Sequence, residues 1–135
     1  MIHLDSSLLI DLERENVLGR PGAAFDALES INESEILAVS VHVLCEVRVG
    51  AELGRQPLQA HERLDQLLSG LLVVYPDERF APMYGRLRAA IKRSGKPIAA
   101  MDLLISTAAI LDDAPLITRN LKDFSRVPGL RVIGY

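Results

Sequence analysis

The 135 residues contain a single cysteine. Cys45 therefore has no partner for an internal disulfide, and a cysteine-based metal site is excluded. Lying among Val43, Leu44 and Val47, it is expected to be a small core residue. No uninterrupted apolar run approaches the ~20 residues of a membrane span. The opening stretch, MIHLDSSLLI, carries an acid where a secretory leader has basic residues, so a cytoplasmic protein is expected. Low-complexity segments, internal repeats and domain linkers are missing, and one domain covering residues 1–135 is expected. Phosphate-cradling glycine loops and the nucleophile elbow are absent too. His3, His42 and His61 lack any metal-binding spacing and are expected to be structural or surface groups.

What remains is a globular composition with an uneven charge distribution. Apolar residues make up 49% and charged residues 24% of the chain, and the net charge is −3. Residues 1–75 hold 12 acids and 5 bases, whereas residues 76–135 hold 6 acids and 10 bases. Arg86, Arg88, Lys92, Arg93 and Lys96 follow one another with no acid between them. A basic face beside an acidic one can receive a polyanion.

Five short apolar runs read as strands: MIHL (1–4), ILAVS (36–40), LLVVY (71–75), PLIT (115–118) and LRVIG (130–134). Helices are expected between them. Asp5 or Ser6 can cap the first and Ser40 another, and Pro57 opens a third with Leu58, Leu64, Leu67 and Leu68 on its apolar side. A further helix is expected from about Asp77 to Ser94, irregular around Pro82. Strands alternating with helices predict an α/β fold: a three-layer α/β/α sandwich with a mainly parallel central sheet. In such sheets ligands gather at the carboxyl ends of the strands.

Three acids stand in apolar surroundings. Asp5 follows MIHL, Glu46 interrupts VHVLCEVRVG, and Asp102 lies near the start of the otherwise apolar PIAAMDLLISTAAIL. A fourth, Asp123, lies just past PLIT. Singly, each has an ordinary explanation: Asp5 as a helix cap, Glu46 as a partner of Arg48, Asp102 as a favourable charge near a helix N-terminus. Brought together, several carboxylates repel unless a cation relieves them. An all-oxygen cluster suits Mg²⁺ or Mn²⁺, and such ions support phosphodiester hydrolysis. Ser6 and Ser7 are expected to cap or orient Asp5 rather than act as nucleophiles.

Four segments in order, LDSSLLIDL, VSVHVLCEVRVGAEL, GKPIAAMDLLISTAAIL and PLITRNLKDFSRVPGLRVIGY, resemble the PIN-domain ribonucleases, specifically the VapC toxins of type II toxin–antitoxin pairs. The resemblance covers nearly the whole chain. It implies a PIN fold, a Mg²⁺-dependent endoribonuclease (Mn²⁺ substituting), structured RNA of the transfer or ribosomal class as substrate, a small cognate antitoxin and a homodimer. Carried over by position, the metal-binding acids are Asp5, Glu46 and Asp102. The fourth acidic position falls on Asn120 or on Asp123, and the asparagine leaves open how a second ion would be held. Ser7 and Thr118 match assisting hydroxyl positions. Arg119, Lys92 and Arg93 are candidates for holding the RNA backbone. The alternative from another class is an inactive PIN-like module that acts only through a protein partner.

Overall fold

The five apolar runs become five short strands in the computed structural model, which describes residues 1–135: β1 (Ile2–Leu4), β2 (Leu37–Ser40), β3 (Leu72–Val74), β4 (Leu116–Thr118) and β5 (Val132–Gly134). All pair in parallel, in the order β3-β2-β1-β4-β5. A parallel sheet is covered on both faces, which is why β2 and β4 are apolar and buried throughout most of their length rather than alternating. Helices make the connections: α1 (Ser6–Leu18), α2 (Ala23–Glu29), α3 (Val41–Leu53), α4 (Pro57–Leu68), α5 (Phe80–Ser94), α6 (Ala100–Leu111) and α7 (Leu121–Phe124). The result is the expected α/β/α sandwich. No helix is long and apolar enough to cross a membrane.

Local chemistry sets the element ends. Gly95, at φ 72°, closes α5 in the left-handed region that glycine adopts without strain. Ser40 Oγ accepts a hydrogen bond from the Val43 N–H at 3.3 Å and caps α3. The helix expected from Asp77 instead starts at Phe80. Asp77 accepts from the Arg79 N–H at 2.9 Å and binds its guanidinium at 2.8 Å, so this stretch turns before the helix begins. Pro82 then falls in the first turn of α5, where its missing N–H breaks no helical bond.

The larger apolar cluster joins the sheet to α1, α3 and α4, with Leu8, Leu9, Val43, Val47, Leu64 and Leu116 among its members. A smaller one, Leu87, Ile91, Ile98, Leu103 and Val127, fixes α5 against α6. Two expectations fail here. Cys45 is exposed, because Val43, Val47 and Ala51 form the buried stripe of α3 and residue 45 lies on the other side. Leu58 is also exposed, since Ala60 and Leu64 are the residues α4 turns inward.

Strand order places the site. From β1 the chain moves through β2 to β3 on one side, then crosses back to lay β4 and β5 on the other. The carboxyl ends of β1, β2 and β4 therefore meet around the point where the order reverses. Asp5, Ser40 and Thr118 stand at those ends.

Candidate active site

Asp5 occupies the N-cap of α1 yet makes no capping bond with its side chain. The carboxylate is 3% exposed and turned toward β4. Its Oδ2 accepts from Ser7 Oγ at 2.7 Å and from Thr118 Oγ1 at 2.7 Å. Each hydroxyl in turn accepts a backbone N–H: Ser7 from Arg119 at 3.1 Å, Thr118 from Asn120 at 3.0 Å. Those N–H groups occupy hydroxyl lone pairs and so leave the hydroxyl protons aimed at Asp5. Oδ1 has only the distant Ser6 Oγ, at 3.4 Å. One oxygen of Asp5 is saturated and the other is left for a further partner.

Glu46 extends from α3 toward the same region. Its Oε2 accepts from Ser6 Oγ at 2.6 Å, while Arg48 turns away to Asp65 and His61. Asp123, in the first turn of α7, lies 3.3 Å from Asn120 Nδ2 and 3.6 Å from Arg126. Asp102 lies in the first turn of α6 and is half-buried. Burial pushes its carboxyl up to about 6, with the charges of Asp5, Glu46 and Asp123 adding to the shift and no cation opposing them. Four acids distant in sequence thus share one electrostatic field.

As the side chains stand, no three acidic or imidazole groups are close enough to hold a metal ion. Glu46 is bonded to Ser6, and Asp123 lies against Asn120 and Arg126. The donor chemistry nevertheless fits a hard divalent cation, because every acid offers carboxylate oxygen and Asp102 sits in uncompensated negative charge. A cavity of about 550 Å³ lies elsewhere, between α1, α2 and α4. Its carboxylates are already occupied, Glu13 by Arg63 and Glu15 by the backbone of α2.

The PIN-domain family model matches residues 2–130. The chain belongs to the PIN-domain family, in its VapC branch. It is similar to Ribonuclease VapC2 of Rickettsia felis, with 33% identity over 110 residues that cover 82% of each chain. It is similar also to the tRNA(fMet)-specific endonuclease VapC of Salmonella typhimurium, with 30% identity over 103 residues, 76% of this chain and 77% of the relative. Among solved structures, VapBC2 from Rickettsia felis bound to a promoter DNA fragment matches with a TM-score of 0.90 at 29% identity, over 100% of this chain and 99% of that one.

The candidate RNA-binding bases of this PIN domain are of two kinds. Lys92 and Arg93 lie exposed in the last turn of α5, with Lys96 just beyond. Residues 95–99 lead from them into the first turn of α6, which carries Asp102. Arg119 is differently placed: its Nη1 lies 2.8 and 2.7 Å from the two oxygens of Asp11. The histidines are structural or peripheral. His3 is buried and 2.7 Å from Asp112, His42 stacks on Phe80, and His61 pairs with Glu52. Sequence reasoning grouped Ser6 with Asp5, and its short bond goes to Glu46 instead. Asp11 and Tyr135 were not singled out at all, since nothing local marks them.

Proposed function

We propose that this protein is a Mg²⁺-dependent endoribonuclease, with Mn²⁺ as a working substitute, acting as the toxin of a type II toxin–antitoxin pair. Structured RNA of the transfer or ribosomal class is its substrate, a small cognate antitoxin its inhibitor, and a homodimer its working form. The observation that carries the reading is the raised carboxyl of Asp102, lifted first by burial and then by the charges of Asp5, Glu46 and Asp123, in a family whose relatives are named ribonucleases. A site that concentrates uncompensated carboxylates at the carboxyl end of a parallel sheet is built to take a cation.

Asp5, Glu46 and Asp102 would hold the ion, with Asp123 or Asn120 completing the set, and Asp5 would contribute the oxygen that Ser7 and Thr118 leave free. When bound, a divalent cation lowers the pKa of water and neutralises charge building on the phosphate. The chain's own residues do the rest. Ser7 and Thr118 fix the orientation of Asp5. Lys92 and Arg93 meet the RNA phosphates as exposed charges in the last turn of α5. Arg119, held by both oxygens of Asp11, is not free to meet the phosphates as it stands.

The test is direct. Purified protein should cleave transfer RNA in Mn²⁺, stop when EDTA is added, and show no cleavage as Asp102→Asn. Binding of a partner protein with no RNA cleavage under any divalent ion would favour an inactive PIN-like module instead.

A further inference from the structure

Ser7 and Thr118 orient Asp5, but both depend on the loop that follows β4, whose Arg119 and Asn120 N–H groups fill the hydroxyl lone pairs. Something must hold that loop against α1. Arg119 does so at both ends of the residue. Its N–H donates to Ser7 Oγ, and its guanidinium reaches Asp11 one helical turn further along. Ser7 and Asp11 are four residues apart and so share one face of α1. Asp11 is itself fixed from a third direction, because Tyr135 Oη donates to its Oδ2 at 2.8 Å. Tyr135 follows β5, and its ring packs against the larger apolar cluster, which gives the phenol a rigid base.

We propose that Asp11, Arg119 and Tyr135 are positioning residues: they strap the loop after β4 onto α1, so that Ser7 aims its hydroxyl proton at Asp5 and leaves one Asp5 oxygen free. The proposal rests on the metal-dependent nuclease reading for its consequence, but the strap is a property of the metal-free fold. Asp11 Oδ1 takes Arg119 and Oδ2 takes both Arg119 and Tyr135, so the three side chains form one unit. Removing any one of them frees the Arg119 backbone from Ser7. The Ser7 hydroxyl then rotates, and Asp5 loses one of two strong donors on Oδ2. A single guanidinium nitrogen spans both Asp11 oxygens, so an ammonium of similar reach can replace it.

Two measurements without RNA test this. In metal-free protein, hydrogen exchange at the Arg119 amide should accelerate in Asp11→Asn, Arg119→Ala and Tyr135→Phe, while amides in the core of α3 stay protected. Calorimetric titration with Mn²⁺ alone should show affinity about tenfold lower in Arg119→Ala, the lower end of what loss of an outer partner costs a metal site. Arg119→Lys should restore most of it. Arg14→Ala, which removes an exposed base 3.7 Å from Asp11 but leaves the Arg119 and Tyr135 bonds to it in place, should behave as wild type. Wild-type exchange and wild-type Mn²⁺ affinity in both Arg119→Ala and Asp11→Asn would overturn the proposal. Wild-type protein that takes up no Mn²⁺ would overturn the nuclease reading instead, and the exchange result would still decide whether the strap exists. Should Asp11→Asn fail to fold, Tyr135→Phe removes one oxygen atom and keeps the ring's packing.

Discussion

Ser6 Oγ donates to Glu46 Oε2 at 2.6 Å, a bond across 40 residues that ties the start of α1 to the middle of α3. The same hydroxyl lies 3.4 Å from Asp5 Oδ1, so Ser6 stands between the two carboxylates. Ser6→Ala should therefore lower the stability of metal-free protein by about 1 kcal/mol, the scale of a partly exposed bond to a charged acceptor. Urea unfolding with EDTA present would measure it.

Asp102 makes stability depend on pH in a stated direction. Its carboxyl has an ordinary value of 3.8 and titrates at about 6 in the fold. Between those values the folded state holds more protons than the unfolded one, so stability falls as pH rises from about 4 to about 6 and stays lower above. Asp102→Asn removes that dependence. At pH 7 in EDTA the variant should be more stable than wild type by about 1–2 kcal/mol, discounted from the full shift because the group is partly solvated. A variant less stable than wild type would mean that Asp102 is a structural partner.

His3 and Asp112 form a pair of another kind, buried on one side and 2.7 Å apart. Asp112→Ala strands a buried imidazole and should cost about 2 kcal/mol of stability. Cleavage per folded molecule should be unchanged. Denaturant titration and an active-fraction assay separate the two effects.

Lys92→Ala and Arg93→Ala should leave the melting temperature unchanged and weaken RNA binding in a salt-dependent way. Each lost phosphate contact lowers the slope of log affinity against log salt by about 1. Filter binding across a salt series would show it. An unchanged slope in the double variant would place the RNA elsewhere.

The sheet and its acids were legible in sequence because both depend on local contrast. Five apolar runs between helical stretches spell a parallel sheet, and Asp5, Glu46 and Asp102 stand out as charges in apolar company. Features that depend on rotation or register were not legible. Cys45 has apolar neighbours on either side, yet a helix turns 100° per residue and carries it to the surface. Asp77 and Glu78 look like an acidic first helical turn, but the Asp77–Arg79 contacts close a turn of their own. Asp11 meets Arg119 across 108 residues and Tyr135 across 124, distances that only strand pairing can bridge.

The strand order that gathers the site also sets when it can exist. The carboxylates come from positions 5, 46, 102 and 123, and β4, which seats beside β1 and carries Thr118, is formed late in the chain. During synthesis the amino-terminal half emerges first and can fold its own strands and helices. Until residues past 123 have left the ribosome, the cluster lacks a corner and Asp5 lacks a donor. A nascent chain therefore does not carry the complete site, which appears only once the polypeptide is nearly finished.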